Sequence, residues 1–263
     1  MTKNFNDLVA DLSEIEGGYA GHVPPEWLQG RTAYGGLSAG LALAAAQKAM
    51  PDLPPLRSAQ VAFVGPIAGD IRIAVDPIRR GRTASFIGSD ISFEKDGEWP
   101  MGLRTTFVCM GERESSIDHV SHDYPDVPPP DIGKATSRGQ ALSFLQHFEF
   151  ADIKGNPNQG PADYLRWIRV AERDGLDPMV ELMLIGDALP PAAMKLVEGF
   201  GPISSITWIA NVLTTTPETD DGWWLLRSRS DYARHGASSQ VMSVWNTRGE
   251  QVLTGMQGVA LFL

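Results

Sequence analysis

From Leu37 to Met50 the chain runs Leu37-Ser38-Ala39-Gly40-Leu41-Ala42-Leu43-Ala44-Ala45-Ala46-Gln47-Lys48-Ala49-Met50, with almost no polar position to break it. Gly35-Gly36 before the run and Pro51 after it mark the ends of a helix. A helix apolar nearly all round is not a surface helix, so other elements must wrap it. The stretches Arg57 to Val64, Asp70 to Ile78, Thr83 to Phe93 and Pro100 to Met110 read as strands, separated by the turn signals Gly65-Pro66, Arg80-Gly81 and Asp96-Gly97. The first half is thus predicted to be a buried helix followed by an antiparallel meander.

Periodicity disappears between Glu112 and Ser143, where Ser, Asp, His and Pro dominate and Pro128-Pro129-Pro130 occurs, so a surface linker is expected there. The first pattern then returns. Phe148 to Ile153 and Tyr164 to Ala171 read as extended, and a helix is expected from about Ala188 to Val197. Strand-like runs follow at Ile203 to Leu213, Trp223 to Ser230, Ser238 to Trp245 and Val252 to Leu263. The closing hairpins of the halves also align. Phe93-Glu94-Lys95-Asp96-Gly97-Glu98 matches Trp245-Asn246-Thr247-Arg248-Gly249-Glu250, and Thr105 and Gln257 stand at the same spacing beyond the two glycines. The expected organisation is a first repeat over residues 1–112, a linker over 113–143 and a second repeat over 144–263.

Composition narrows the class. With 43% hydrophobic and 21% charged residues, the chain is that of a globular protein with a sizeable core. A net charge of -10 argues against nucleic acid as a partner, because phosphate binding needs clustered Lys and Arg. No segment approaches the roughly 20 apolar residues of a membrane span and the N-terminus lacks a signal-peptide pattern, so no membrane partner and a cytoplasmic location are expected. The single Cys109 excludes an intramolecular disulfide and reads as a buried filler. His119 and His122, with Asp118 and Asp123, lie in the Pro-rich segment and are read as solvated loop; neither a metal nor a cofactor is expected.

With these marks in hand, the chain resembles the acyl-CoA thioesterase II (TesB-type) family of double hot-dog proteins. The resemblance covers most of the chain. It rests in the first half on Tyr34-Gly35-Gly36, on Arg57-Ser58-Ala59-Gln60-Val61-Ala62-Phe63 with Gly65-Pro66 and Gly69-Asp70, and on Arg79-Arg80-Gly81-Arg82-Thr83. In the second half it rests on Gly186-Asp187, the strand from Ser204 to Trp208, Gly236-Ala237-Ser238-Ser239 and Thr254-Gly255-Met256-Gln257-Gly258. It implies an α+β fold of two fused repeats, each a long central helix in a curved antiparallel sheet, an acyl-CoA substrate and a homodimer or larger assembly. It also implies an active site between the halves that uses Asp187 at the start of the second helix, Ser205 on the next strand and Gln257 on the last. Strand alternation leaves Thr207 as an alternative source of the hydroxyl.

The chemistry suits those residue types. An Asp before a helix meets unpaired backbone N–H groups that favour its charged form, so Asp187 is expected to stay ionised and activate water. A hydroxyl and an amide would position that water. Gly35 and Gly36 permit close approach of an oxyanion to the first helix's N–H groups, or simply close helix packing. Arg80 and Arg82, with Arg79, and His235, with Arg227, Arg229 and Arg234, are the candidate partners of the CoA phosphates, against the reading of solvated turns. No Gly-x-Ser-x-Gly elbow is present, so water attack fits better than an acyl-enzyme. The rival readings are a non-catalytic acyl-CoA binding protein and a hot-dog hydratase or dehydratase, which would need a His with an acidic partner in the site.

Overall fold

The computed structural model describes residues 2–121, 123–125, 127–132, 135–137, 142–153, 160–198 and 201–262. A short helix α1 (Phe5–Ala10), closed by an Asn4/Asp7 capping box, leads into the hairpin β1 (Ser13–Ile15) and β2 (Gly18–Val23). A second small hairpin, β3 (Leu28–Gln29) and β4 (Thr32–Ala33), precedes α2 (Gly35–Ala49). The strands β5 (Leu56–Phe63), β6 (Gly69–Arg80), β7 (Ser85–Phe93) and β8 (Met101–Cys109) then follow within a few residues of the positions expected from alternation. In β7 the alternation is complete, with every second residue from Ser85 to Phe93 buried.

The second half contains β9 (Thr136–Ser137), β10 (Phe148–Ala151), β11 (Asp163–Val170), α3 (Pro178–Gly186), β12 (Ile203–Val212), β13 (Trp224–Arg234), β14 (Ala237–Trp245) and β15 (Gln251–Leu261). All strands except β3 and β4 join one 13-stranded sheet in the order β1-β2-β6-β7-β8-β5-β12-β15-β14-β13-β11-β10-β9. Its seam is the antiparallel pair β5–β12, with Ala59 opposite Ala210 and Ser58 donating to Asn211 at 2.9 Å.

Both helices lie on the inner face. α2 packs on β6, β7 and β8, where the Ser89 hydroxyl donates to the Ala42 carbonyl at 2.7 Å, while α3 packs on β11 and β14. The two helices also pack on each other, and a small residue lets them do so: a side chain on Gly36 would collide with the Leu184 carbonyl, while one on Gly40 would crowd the Phe5 ring of α1.

The helix of the second half departs from expectation. It is not Ala188 to Val197 but the nine-residue α3, and only Ala192–Leu196 within the expected span is helical, as a short 3₁₀ turn. Asp177 starts α3 by accepting the N–H groups of Met179 and Val180, both at 3.0 Å, with Pro178 in the first position where no N–H is needed. Pro190 and Pro191 cannot donate and so mark where α3 fails to continue. Glu181, buried on α3, accepts both Arg173 bonds (3.2 and 3.1 Å) and the Trp224 indole N–H (3.1 Å), which satisfies an otherwise costly buried carboxylate.

The Pro-rich segment is more than a solvated connection. Tyr124 stands edge-on to Trp245, Pro128 accepts the Trp167 indole N–H at 3.0 Å, and β9 pairs with β10. These contacts cover a second apolar cluster of Leu165, Trp167, Trp223, Leu225 and Trp245 on the outer face. His119 is exposed, and His122 lies outside the described residues. Among the described residues no helix is long and apolar enough to cross a membrane.

Candidate active site

Four elements from distant parts of the chain converge at one end of the seam. Gly35 opens α2, Asp187 closes α3, and Ser205 and Gln257 come from the neighbouring strands β12 and β15; all four line one cavity of about 270 Å³. Gln29 and Thr32 of the small β3–β4 hairpin, Phe63 and Ile67 near the end of β5, and Leu189 complete its walls. None of Gln29, Thr32 or Leu189 carries a sequence signal that would have singled it out.

Asp187 sits at the C-terminal cap of α3, not at a helix start as expected. The physical argument for its charge therefore changes. Its own helix presents its negative end, while the carboxylate meets the head of the other helix, where the Gly36 N–H favours the ionised form. The fit is close: a methyl group on Gly35 would lie 2.5 Å from Asp187 Oδ2. Tyr34, the residue before α2, makes no side-chain cap, so the carboxylate takes that place. Gln257 Nε2 donates to Asp187 Oδ1 at 2.8 Å. Burial outweighs both supports and pushes the Asp187 carboxyl up to about 7, instead of leaving it fully ionised as a surface Asp would be. Asp187 keeps partial exposure toward the cavity although protein surrounds its carboxylate.

The bulge in β12 puts the two candidate hydroxyls on different faces. Between Ser205 and Thr207 the pairing with β15 skips a residue, so Ser205 faces Val259 and Thr207 faces Gly258. Val259 and Gln257 are buried on the inner face; a side chain on Gly258 would instead meet Thr207 Oγ1. Simple alternation is thereby broken, and Thr207 points outward while Ser205 lines the cavity. Ser205→Ala is expected to lower turnover by roughly tenfold through loss of positioning, and Thr207→Ala to leave it unchanged, in a steady-state assay of both variants. Equal effects would remove the distinction.

The basic candidates separate. Arg80 lies opposite Ser85, which pairs with Cys109 and so belongs to the Leu56 end of the sheet, away from the Phe63–Ser205 end that holds the cavity. Arg80 donates to Asp52 at 2.8 Å and Arg82 occupies the same hairpin turn, so within one chain both stand at the end of the sheet opposite the cavity. Arg227 is held bidentate by the buried Asp163. His235 does lie at the cavity's end of the sheet, in an exposed turn beside Ala237, which pairs with Ala260 and through it neighbours Ser204. Cys109 is buried, and burial pushes its thiol up to about 11.

The first half does not repeat the same set. Thr105, which matches Gln257, donates to the Ser89 carbonyl at 2.6 Å, and at the opposite end Asp177 caps its own helix while accepting from Gln47 Nε2 at 3.2 Å. There the amide comes from a helix, whereas Gln257 on β15 is the strand amide that meets a carboxylate at the cavity.

Comparison with known proteins finds a family match for each half of the chain. Residues 23–110 match the family model described as acyl-CoA thioesterase N-terminal domain, and residues 122–261 match the acyl-CoA thioesterase C-terminal domain. No curated protein matches the chain. Among solved structures, a protein of unknown function with hot dog fold from Alicyclobacillus acidocaldarius is 24% identical with a TM-score of 0.85, over 100% of this chain and 99% of that one. The tesB protein of Mycobacterium avium subs paratuberculosis is 18% identical (TM-score 0.77; 98% and 99% covered). The acyl-CoA thioesterase II TesB2 of Mycobacterium marinum is 17% identical (TM-score 0.73; 97% and 96% covered). At these identities the structural likeness speaks for the hot-dog fold alone. The two family-model matches go further, and by them the chain belongs to the acyl-CoA thioesterase family.

Proposed function

We propose that this chain hydrolyses an acyl-CoA to free acid and CoA, with Asp187 as general base for an attacking water. The observation that carries this reading is the Asp187 carboxylate itself, held by Gln257 at the head of α2, facing a cavity, with its pKa pushed up to about 7. A base poised near the working pH is half-deprotonated and still basic enough to accept a proton. Two fused repeats over 1–112 and 144–263, joined by 113–143, account for the helix-then-meander order and for the convergence of the two helices at the seam.

The chain's residues divide the chemistry as follows. Ser205 and the second N–H of Gln257 Nε2 orient the water; the first N–H is already given to Asp187. Asp187 takes one proton as the water oxygen bonds to the thioester carbonyl carbon. The resulting oxyanion is received by the Gly35 N–H at the positive end of α2, since the Gly36 N–H serves the carboxylate. Collapse breaks the carbon–sulfur bond, and the Asp187 proton passes to the departing thiolate. The apolar walls from Phe63, Ile67 and Leu189 suit the acyl group.

Among the described residues no His lines the cavity, which disfavours the hydratase or dehydratase reading. The family match and exposed Ile206, Ile209 and Met256 on the outer face of the seam support self-association as a homodimer or larger assembly. The test is release of free thiol from short, medium and long acyl-CoAs across pH 5–9. Because Asp187 must be unprotonated, turnover is expected to rise with pH through about 7 and then level off. Retained CoA binding without thiol release at any chain length or pH would favour the non-catalytic binding protein.

A further inference from the structure

Gln257 is itself held by a residue that no sequence signal picks out. Gln240 on β14 is fully buried beside Gln257, and its Nε2 donates to Gln257 Oε1 at 2.6 Å. Gln240 Oε1 accepts the backbone N–H of Ala192 and the Ser228 hydroxyl, each at 2.9 Å. This arrangement leaves no freedom to either amide. A backbone N–H can only donate, so the atom of Gln240 facing Ala192 must be the oxygen, and the atom facing Gln257 must be the nitrogen. Gln257 must then present its oxygen to Gln240 and its nitrogen to Asp187. With either amide turned over, donor would face donor or an amide oxygen would face the carboxylate.

We infer that Gln240 is a positioning residue for hydrolysis, fixing Gln257 as a hydrogen-bond donor to Asp187 and to the attacking water. The inference rests on the reading of Asp187 as the base. The chain of polarity runs from the Ala192 N–H, just beyond the cavity wall formed by Leu189 and Pro191, through two buried amides to the carboxylate. A buried network satisfied at every member is rigid, and a single lost link frees the groups beyond it. The ionisable group facing Asp187 is Tyr34, which burial keeps neutral and whose hydroxyl donates to the Leu184 carbonyl at 2.7 Å, so it supplies no competing titration.

The experiment compares Gln240→Met, Gln257→Met and the double variant. Each is followed by thiol release against pH and by the carboxyl carbon-13 titration of Asp187. In Gln240→Met the expected result is a fall in kcat of about tenfold or more, the worth of one buried hydrogen bond, with KM unchanged. Asp187 should titrate at higher pH, because the Gln257 bond lowers its pKa and is no longer enforced. The double variant should match Gln257→Met alone, since Gln240 acts through Gln257. Additive losses, or an unmoved titration with normal kcat, would overturn the role. Gln240→Glu keeps the acceptor for Ala192 and Ser228 while its ionised form cannot donate; if Gln240→Met does not fold, the same two readouts are taken from it. Should the wild-type protein release no thiol, the hydrolytic reading fails, and the Asp187 titration alone decides whether the relay exists.

Discussion

Asp187→Asn is expected to lower kcat by about 10²–10⁴, the usual contribution of a positioned general base, while CoA binding changes far less. The same substitution is expected to stabilise the protein at pH 8. The folded-state pKa of Asp187 is raised from 3.8 to about 7, so the folded form holds a proton that the unfolded chain releases. Relative to a neutral side chain, this group therefore costs nothing below about pH 4, becomes increasingly destabilising as the pH rises toward 7, and reaches its full cost above that. The cost amounts to at most about 4 kcal/mol by linkage. Because the side chain retains some exposure toward the cavity, roughly 2 kcal/mol is the better expectation. Thermal unfolding of both proteins at pH 4 and pH 8, beside steady-state kinetics, checks the two claims together. A variant as active as the wild type removes Asp187 from the mechanism; a variant with no stability gain at pH 8 would mean that the carboxylate is better solvated than its surroundings imply.

What was legible beforehand follows from contrast along the chain. Strands such as β7 and β14 place one face in the core and one outward, and that alternation survives in the sequence. α2 was legible because its composition and its closing Pro51 are unambiguous. α3 was not, since Met179 to Ile185 is buried on every side and so has no polar face to reveal a period; Asp177-Pro178 was the start signal, and Pro190-Pro191 drew the helix assignment too far along the chain. The two-strand start of the sheet, β1 and β2, is too short to stand out. Placing Asp187, Ser205 and Gln257 together was a matter of family resemblance. Local reasoning put Asp187 at the head of its own helix, whereas its stabilising N–H belongs to a residue about 150 positions earlier, which only the packing of α2 on α3 reveals. The β12 bulge and the partners of Gln240 are likewise tertiary facts with no local signature.

The glycines at the head of α2 divide stability from catalysis, and alanine at each is expected to show it. In Gly36→Ala the new methyl would collide with the Leu184 backbone carbonyl and lie 2.5 Å from the Tyr34 hydroxyl oxygen, two groups that are themselves bonded at 2.7 Å. A backbone carbonyl in a packed helix cannot yield, so the helices must part. A loss of about 2–4 kcal/mol is expected from overpacking together with the broken hydrogen bond. In Gly35→Ala the methyl would meet Asp187 Oδ2 at 2.5 Å and the Phe63 ring at 2.9 Å, both movable side chains. Alanine also favours the helix by up to about 1 kcal/mol, which offsets much of the strain. Stability should therefore change little, yet the carboxylate must leave the helix head, and a displacement of that size can lower turnover by about 10². Denaturant unfolding and kcat measured on both variants should move in opposite proportions: unfolding chiefly in Gly36→Ala, turnover at matched folded concentration chiefly in Gly35→Ala. Full turnover in Gly35→Ala would show that hydrolysis does not depend on Asp187 sitting against α2, and the site would have to be sought elsewhere in the molecule.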